Sequence, residues 1–246
     1  MRNCVLLFFI FLIFGCNNPK IKKNSIVEKK EKSTNVKKDS TKIINEIVLR
    51  ESFVDSTTIG IKGKYKVELN SYNNLDSTYV EIKFSEKKNN YWLQIQKIIL
   101  PKDGITSCNS KIKDFNNDKL NDFTFQSSVA ARGANEIRTL LLFEKATGKL
   151  KLITNSADYP NLQYNEVLNC VDAWMVYGGT STVFLKIDHD SLREFAGVEL
   201  FDDYREIYLV DKKGKHKTLK KEKIEGLETL TRFKNFDPLI ENTVEN

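Results

Sequence analysis

Histidine is nearly absent, with only His189 and His216 in 246 residues. Zinc sites built on imidazole, and most serine or cysteine triads, need a histidine beside its partners, so such chemistry has just two places to stand. His189 sits in Asp188-His189-Asp190 before Ser191, which reads as a turn, and His216 lies in a lysine run and reads as exposed. No G-x-S-x-G elbow or phosphate-cradling glycine loop occurs. Glycoside hydrolysis needs only two carboxylates and is left open by a chain with 33 of them. Long apolar runs are missing too. The longest, residues 5–14, has ten residues, against the roughly 20 a spanning helix requires.

That short run follows Arg2 and ends at Ile13-Phe14-Gly15-Cys16. A cationic start, a brief apolar stretch and a small residue before cysteine have the form of an export signal. They resemble a bacterial lipobox, which implies cleavage after residue 15, lipidation of Cys16 and attachment to a membrane of the bacterial envelope, on its periplasmic or surface side. A plain secretory signal or an uncleaved anchor is the other reading.

Basic charge is concentrated at the front. Residues 1–42 hold ten cations against three carboxylates, +7, and the whole chain is +6, so residues 43–246 sum to −1. Residues 16–42, rich in Lys, Asn and Ser, cannot bury enough apolar surface to offset their ordering entropy. They read as a disordered tether able to touch anionic lipid, with no nucleic acid partner implied. Of four cysteines, Cys4 would leave with the signal. Cys108 and Cys170 then stand as either a disulfide, suited to an oxidising compartment, or two buried thiols.

From residue 43 onward apolar residues recur with period two, as in strands half-buried in a sheet. Val80, Ile82 and Phe84 share one face, and the pattern repeats at Leu93 and Ile95, at Val171, Ala173 and Met175, at Val183, Leu185 and Ile187, and at Ile207 and Leu209. Leu140-Leu141-Leu142-Phe143 is apolar on both faces and predicts a central strand covered on both sides. Turn signals at Thr147-Gly148 and Gly178-Gly179 predict hairpins. The spacing predicts about ten strands in one all-β domain over 43–246, propeller-like or sandwich-like with antiparallel sheets. The best helical candidate combines Ile224, Leu227, Leu230 and Phe233, interrupted by Gly226.

The most specific stretch is DFNNDKLND, residues 114–122. Asp114, Asn116, Asp118 and Asp122 put side-chain oxygens at its first, third, fifth and ninth places, and the Leu120 carbonyl falls at the seventh. Calcium takes six to eight hard oxygens, which a tight loop of short carboxylates and amides supplies. Ile112 and Phe115 before the loop, and Phe123 and Phe125 after it, would anchor its ends. The ligands are consumed in coordination, so the expected metal is structural. A polar turn held by its own side chains is the simpler reading.

Residues 112–149 resemble an FG-GAP-like calcium-loop repeat: apolar strand, DxNxDxxxD loop, second strand, small-residue loop, third strand. They are also similar to exported partial β-propeller lipoproteins, some of which inhibit peptidoglycan hydrolases. The resemblance spans at most residues 98–210. It implies a binding or inhibitor module for an envelope protein such as a wall hydrolase, with no catalysis of its own. Glycine is common at the sixth loop place in those families, whereas Lys119 stands here. Residues 127–135, SSVAARGAN, read as a projecting loop whose Arg132 meets an acidic pocket on a partner, since arginine pairs with carboxylates through two parallel hydrogen bonds. A carbohydrate-active enzyme or a purely structural lipoprotein are the alternatives.

Overall fold

The computed structural model describes residues 47–75, 77–224 and 230–241. The expected signal, the tether, Cys16 and residues 225–229 of the helical candidate lie outside them. Alternating sequence becomes sheet almost throughout. Among the described residues there are sixteen strands and two 3-10 turns, more than the ten expected, in part because β5, β9 and β16 have only three residues each. Phe233 of the helical candidate is on a strand.

Sheet I is the meander β1 (Val48–Asp55), β2 (Tyr65–Asn74), β3 (Ser77–Lys88) and β4 (Tyr91–Lys102). Sheet II is β5 (Lys111–Lys113), β6 (Asp122–Ala130), β7 (Asn135–Glu144) and β8 (Lys149–Ile153). Sheet III runs through β9 (Gln163–Asn165), β10 (Cys170–Val176), β11 (Thr180–Asp188), β12 (Ser191–Phe201), β13 (Tyr204–Val210) and β14 (His216–Lys223). A last hairpin pairs β15 (Phe233–Phe236) with β16 (Leu239–Glu241). All neighbours are consecutive and antiparallel, so short hairpins suffice to connect each ladder.

Three apolar clusters separate these layers. Val67, Leu69, Val80, Ile82 and Phe84 of sheet I meet Phe123, Phe125, Leu141 and Phe143 of sheet II. Leu140, Leu142 and Ile153 on the other face of sheet II meet Val171, Ala173, Val183 and Leu185 of sheet III. The far face of sheet III packs Phe184, Ala196, Val198 and Leu200 against Phe233, Phe236 and Leu239. Sheets packed face to face in this way make a sandwich-like all-β body. Strand β7 is therefore sealed on both sides, which is why its sequence does not alternate. Each fully buried Leu or Phe there contributes about 1.5–3 kcal/mol.

Two departures from simple alternation have local causes. The β3–β4 register slips between Phe84 and Ser85, making Ile95 an extra residue opposite that step. Leu93 is consequently exposed while Ile95 packs on the first cluster, and the two do not share a face as period two predicts. Beside the bulge, the Gln96 side chain acts as a rung for β8. Its Nε2 donates to the Leu150 carbonyl at 2.8 Å, and its Oε1 accepts the Leu150 N–H at 2.9 Å.

Candidate functional site

The 114–121 loop joins β5 to β6 and is closed from within. Asp114 Oδ1 accepts the N–H groups of Asn116 (3.1 Å) and Asn117 (2.6 Å), and its Oδ2 accepts that of Lys119 (2.9 Å). Asp118 Oδ1 accepts the Leu120 N–H at 2.8 Å, and its Oδ2 accepts from Asn116 Nδ2 at 3.1 Å. Such side-chain caps favour a left-handed backbone at intervening residues, here Asn117 (φ 60°) and Lys119 (φ 71°). Lysine thus takes the conformation for which glycine is the unstrained choice, at about 1–2 kcal/mol.

The loop also touches all three sheets or their connections. Asn121 accepts the Gly60 N–H on its carbonyl (2.9 Å) and donates from Nδ2 to Thr58 (3.0 Å), in the link between β1 and β2. Gly60 has φ 55°, and a Cβ there would stand 2.8 Å from the Phe143 ring, so glycine is required twice over. On the other side Asn117 Nδ2 donates to Asn169 Oδ1 at 3.0 Å, before β10. Phe115 packs in the second cluster, and Ile112, Leu120, Phe123 and Phe125 in the first.

Asp122 is fully buried at the start of β6. Its two oxygens accept the N–H groups of Phe115 and Phe143, each at 2.8 Å, pinning the loop to β7. Burial, together with the charges of Asp118 and Asp114, pushes its carboxyl up to about 7 against the pull of those two amides. A dication would relieve that repulsion. An ionised carboxylate has about four lone-pair sites, and the three N–H groups on Asp114, the two donors on Asp118 and the two on Asp122 leave acceptor capacity on each. The residues therefore fit a hard cation in chemistry and charge. They are not drawn into a finished shell, since among the described residues no three His, Cys, Asp or Glu side chains converge on a metal position.

The expected projecting loop at 127–135 is mostly strand. β6 continues to Ala130 with a bulge at Ser127, and Ser128, Val129 and Ala130 pair with Ile137, Glu136 and Asn135. Small residues hid this strand, because its pairing rests on backbone rather than on an apolar face. What projects is the turn Ala131–Gly133, where Ala131 (φ 49°), Arg132 (φ 56°) and Gly133 (φ 97°) are successively left-handed and all exposed. Its base is fixed by two asparagines that no spacing flags in the sequence. Asn135 exchanges hydrogen bonds with the Val176 backbone, both at 2.9 Å. Asn161 accepts the Glu136 N–H (3.1 Å) and donates to the carbonyls of Ala134 (2.9 Å) and Trp174 (2.8 Å).

Cys108 and Cys170 are both free and buried. The disulfide reading fails because Cys108 belongs to the sheet I–sheet II cluster and Cys170 to the outer face of sheet III. Desolvation raises both thiols, to about 11 and about 12, so neither is a ready nucleophile. Asp188-His189-Asp190 is the β11–β12 turn, with His189 at φ 55°. His216 is exposed and stacks on Tyr208, ring centroids 4.8 Å apart.

One acidic pair was not legible in sequence. Glu194 and Glu199 lie on β12, opposite Leu185 and Ser181, on the face that meets sheet II. The bulge at Phe195 puts both on that face despite their odd spacing. Tyr208 donates to Glu194 at 2.8 Å and Tyr177 to Glu199 at 2.6 Å. Burial raises the Glu194 carboxyl above its ordinary range, and the hydrogen bond from Tyr208 opposes it.

No protein-family model matches this chain, and no curated protein matches it in sequence. Among solved structures, "Structure of a Xanthomonas Type IV Secretion System related protein" aligns with a TM-score of 0.44 at 9% identity, over 69% of this chain and 93% of that one.

Proposed function

We propose that the chain is a lipid-anchored bacterial envelope protein whose calcium-bearing all-β body presents Arg132 to an acidic pocket on an envelope protein such as a wall hydrolase, holding it inhibited. The supporting observation is the β6–β7 tip. Left-handed alanine and arginine cost about 1–2 kcal/mol each, and such strain persists where the surroundings enforce it and often marks a binding element. Here Asn135 and Asn161 enforce it by tying the base of the tip to β10 of sheet III. Arg132 itself makes no hydrogen bond or ion pair among the described residues, so its guanidinium is available. Calcium at Asp114, Asn116, Asp118, Leu120 and Asp122 would hold sheet II in register with its neighbours and take part in no reaction.

The test is inhibition of glycan-strand hydrolysis by envelope extract, with parent protein and Arg132→Ala compared. The parent should slow hydrolysis and Arg132→Ala should not, while Arg132→Gly, which relieves the left-handed strain, should be no less stable than the parent yet equally inactive. Equal inhibition by all three would remove the tip from the function. A second reading, carbohydrate hydrolysis, draws on Glu194 and Glu199. It predicts sugar release from wall glycan by the protein alone, lost in Glu194→Gln.

A further inference from the structure

The β13–β14 hairpin carries an unbalanced charge at its tip. Lys220, Lys221 and Lys223 on β14 pair with Glu222, Glu206 and Asp203. Lys212, Lys213, Lys215 and Lys217 have no such partner among the described residues. The carboxylate adjacent in sequence, Asp211, is turned into the hairpin, its Oδ1 accepting the N–H groups of Lys213 (2.7 Å) and Lys215 (3.0 Å). Lysines along an edge strand discourage pairing with other chains, which accounts for those on β14. It does not account for Lys212, Lys213 and Lys215, which lie in the turn beyond the ladder.

Beside these lysines opens a hollow of about 460 Å3, lined by the apolar Phe195, Leu209 and Val210 and by Asp211, Lys215, His216 and Lys217. Exposed Lys186 adds a further cation, its Nζ 4.9 Å from the Phe195 ring centroid. A soluble polyanion would satisfy the lysines and leave the apolar lining wet. An interface that is anionic outside and apolar within satisfies both.

We infer that this end of sheet III docks on an anionic phospholipid surface, with the lysines at headgroup phosphates and the hollow receiving apolar acyl surface. The attraction is that of clustered lysines for an anionic leaflet, which acts within about a Debye length. Arg132 is not part of this surface; Lys186, which also lines a hollow with Phe115 and Asn116, is its approach to the 114–122 loop.

The test uses the full chain with Cys16→Ser, so that no lipid on that cysteine contributes, and vesicles of phosphatidylcholine with or without phosphatidylglycerol. Any contribution of the basic N-terminal segment is common to all variants. Partitioning onto phosphatidylglycerol vesicles should fall about tenfold or more when Lys212, Lys213, Lys215 and Lys217 are all changed to Gln. Val210→Ser should remove the part of the binding that survives high salt. Amide exchange over residues 209–217 should slow with phosphatidylglycerol vesicles and not with phosphatidylcholine alone. Equal partitioning of parent and quadruple variant, or unchanged exchange at 209–217, would overturn the inference. So would matching protection by inorganic polyphosphate together with indifference to Val210→Ser, which would make the patch a site for soluble polyanions.

Discussion

Asn161 offers the sharpest test of whether the β6–β7 tip is held from outside. Its side chain makes three hydrogen bonds, to Glu136 N–H and to the carbonyls of Ala134 and Trp174. At about 0.5–1.5 kcal/mol net each, Asn161→Gly should lose about 1.5–4.5 kcal/mol, toward the lower end because the site is only partly buried. Asn161 also has φ 55°. Asn161→Ala should therefore lose about 1 kcal/mol more than Asn161→Gly, since alanine strains where glycine does not. Urea denaturation gives both numbers, and hydrogen exchange at residues 131–134 reads the tip directly. Exchange there should accelerate in both variants, and the inhibition proposed above should weaken with it. Stability within about 0.5 kcal/mol of the parent, together with unchanged exchange at the tip, would refute the claim that Asn161 enforces it.

Two further outcomes concern the core and a surface loop. Leu140→Ala and Leu141→Ala should each cost about 2–5 kcal/mol, because the two side chains fill different clusters on opposite faces of β7; equilibrium unfolding of the single variants would show it, and a near-neutral result at either position would mean that face is not sealed. Asp103 gives a pH dependence. Burial alone would raise its carboxyl, but hydrogen bonds from the Thr106 N–H, the Ser128 and Thr106 hydroxyls and the Lys102 ammonium outweigh it and hold it well below the usual range. A folded value below the unfolded one, about 3.9, means a stabilisation present above about pH 4 and lost as pH falls toward the folded value. Melting temperatures taken from about pH 6 down to about pH 3 should drop less for Asp103→Asn than for the parent.

Much of the scaffold is visible in the residues alone. Val80, Ile82 and Phe84, or Val183, Leu185 and Ile187, alternate because one face of each strand is apolar, and Leu140-Leu141-Leu142-Phe143 stops alternating because both faces are covered. Bulges are harder to read. At Ile95, Ser127 and Phe195 an extra residue reverses the facing of the rest of its strand, and nothing in composition marks those positions. The same difficulty hid Glu194 and Glu199, whose spacing of five places them on opposite faces of a regular strand. Cys108 and Cys170 look pairable only until the layers are known. The 114–122 spacing carries its own signal, because Asp114, Asp118 and Asp122 crowd charge into one turn, but the rise of the Asp122 carboxyl comes first from its burial, which the spacing does not show, and only then from that crowding. Asn135 and Asn161 act across sheets, through contacts that local sequence does not encode.

Calcium binding at the 114–122 loop is decided most directly by calorimetric titration of chelator-stripped parent and of Asp118→Ala, with melting curves at matched calcium. A cation that binds only the folded protein stabilises by RT ln(1 + [L]/Kd), about 2.7 kcal/mol at a hundredfold excess over Kd. The parent should take up calcium and melt higher with it, magnesium should substitute poorly because it demands shorter bonds in a near-ideal octahedron, and Asp118→Ala should show neither uptake nor response. A stripped parent that takes up no calcium at millimolar concentration, and melts at one temperature with or without it, would make the loop a polar turn held by its own hydrogen bonds.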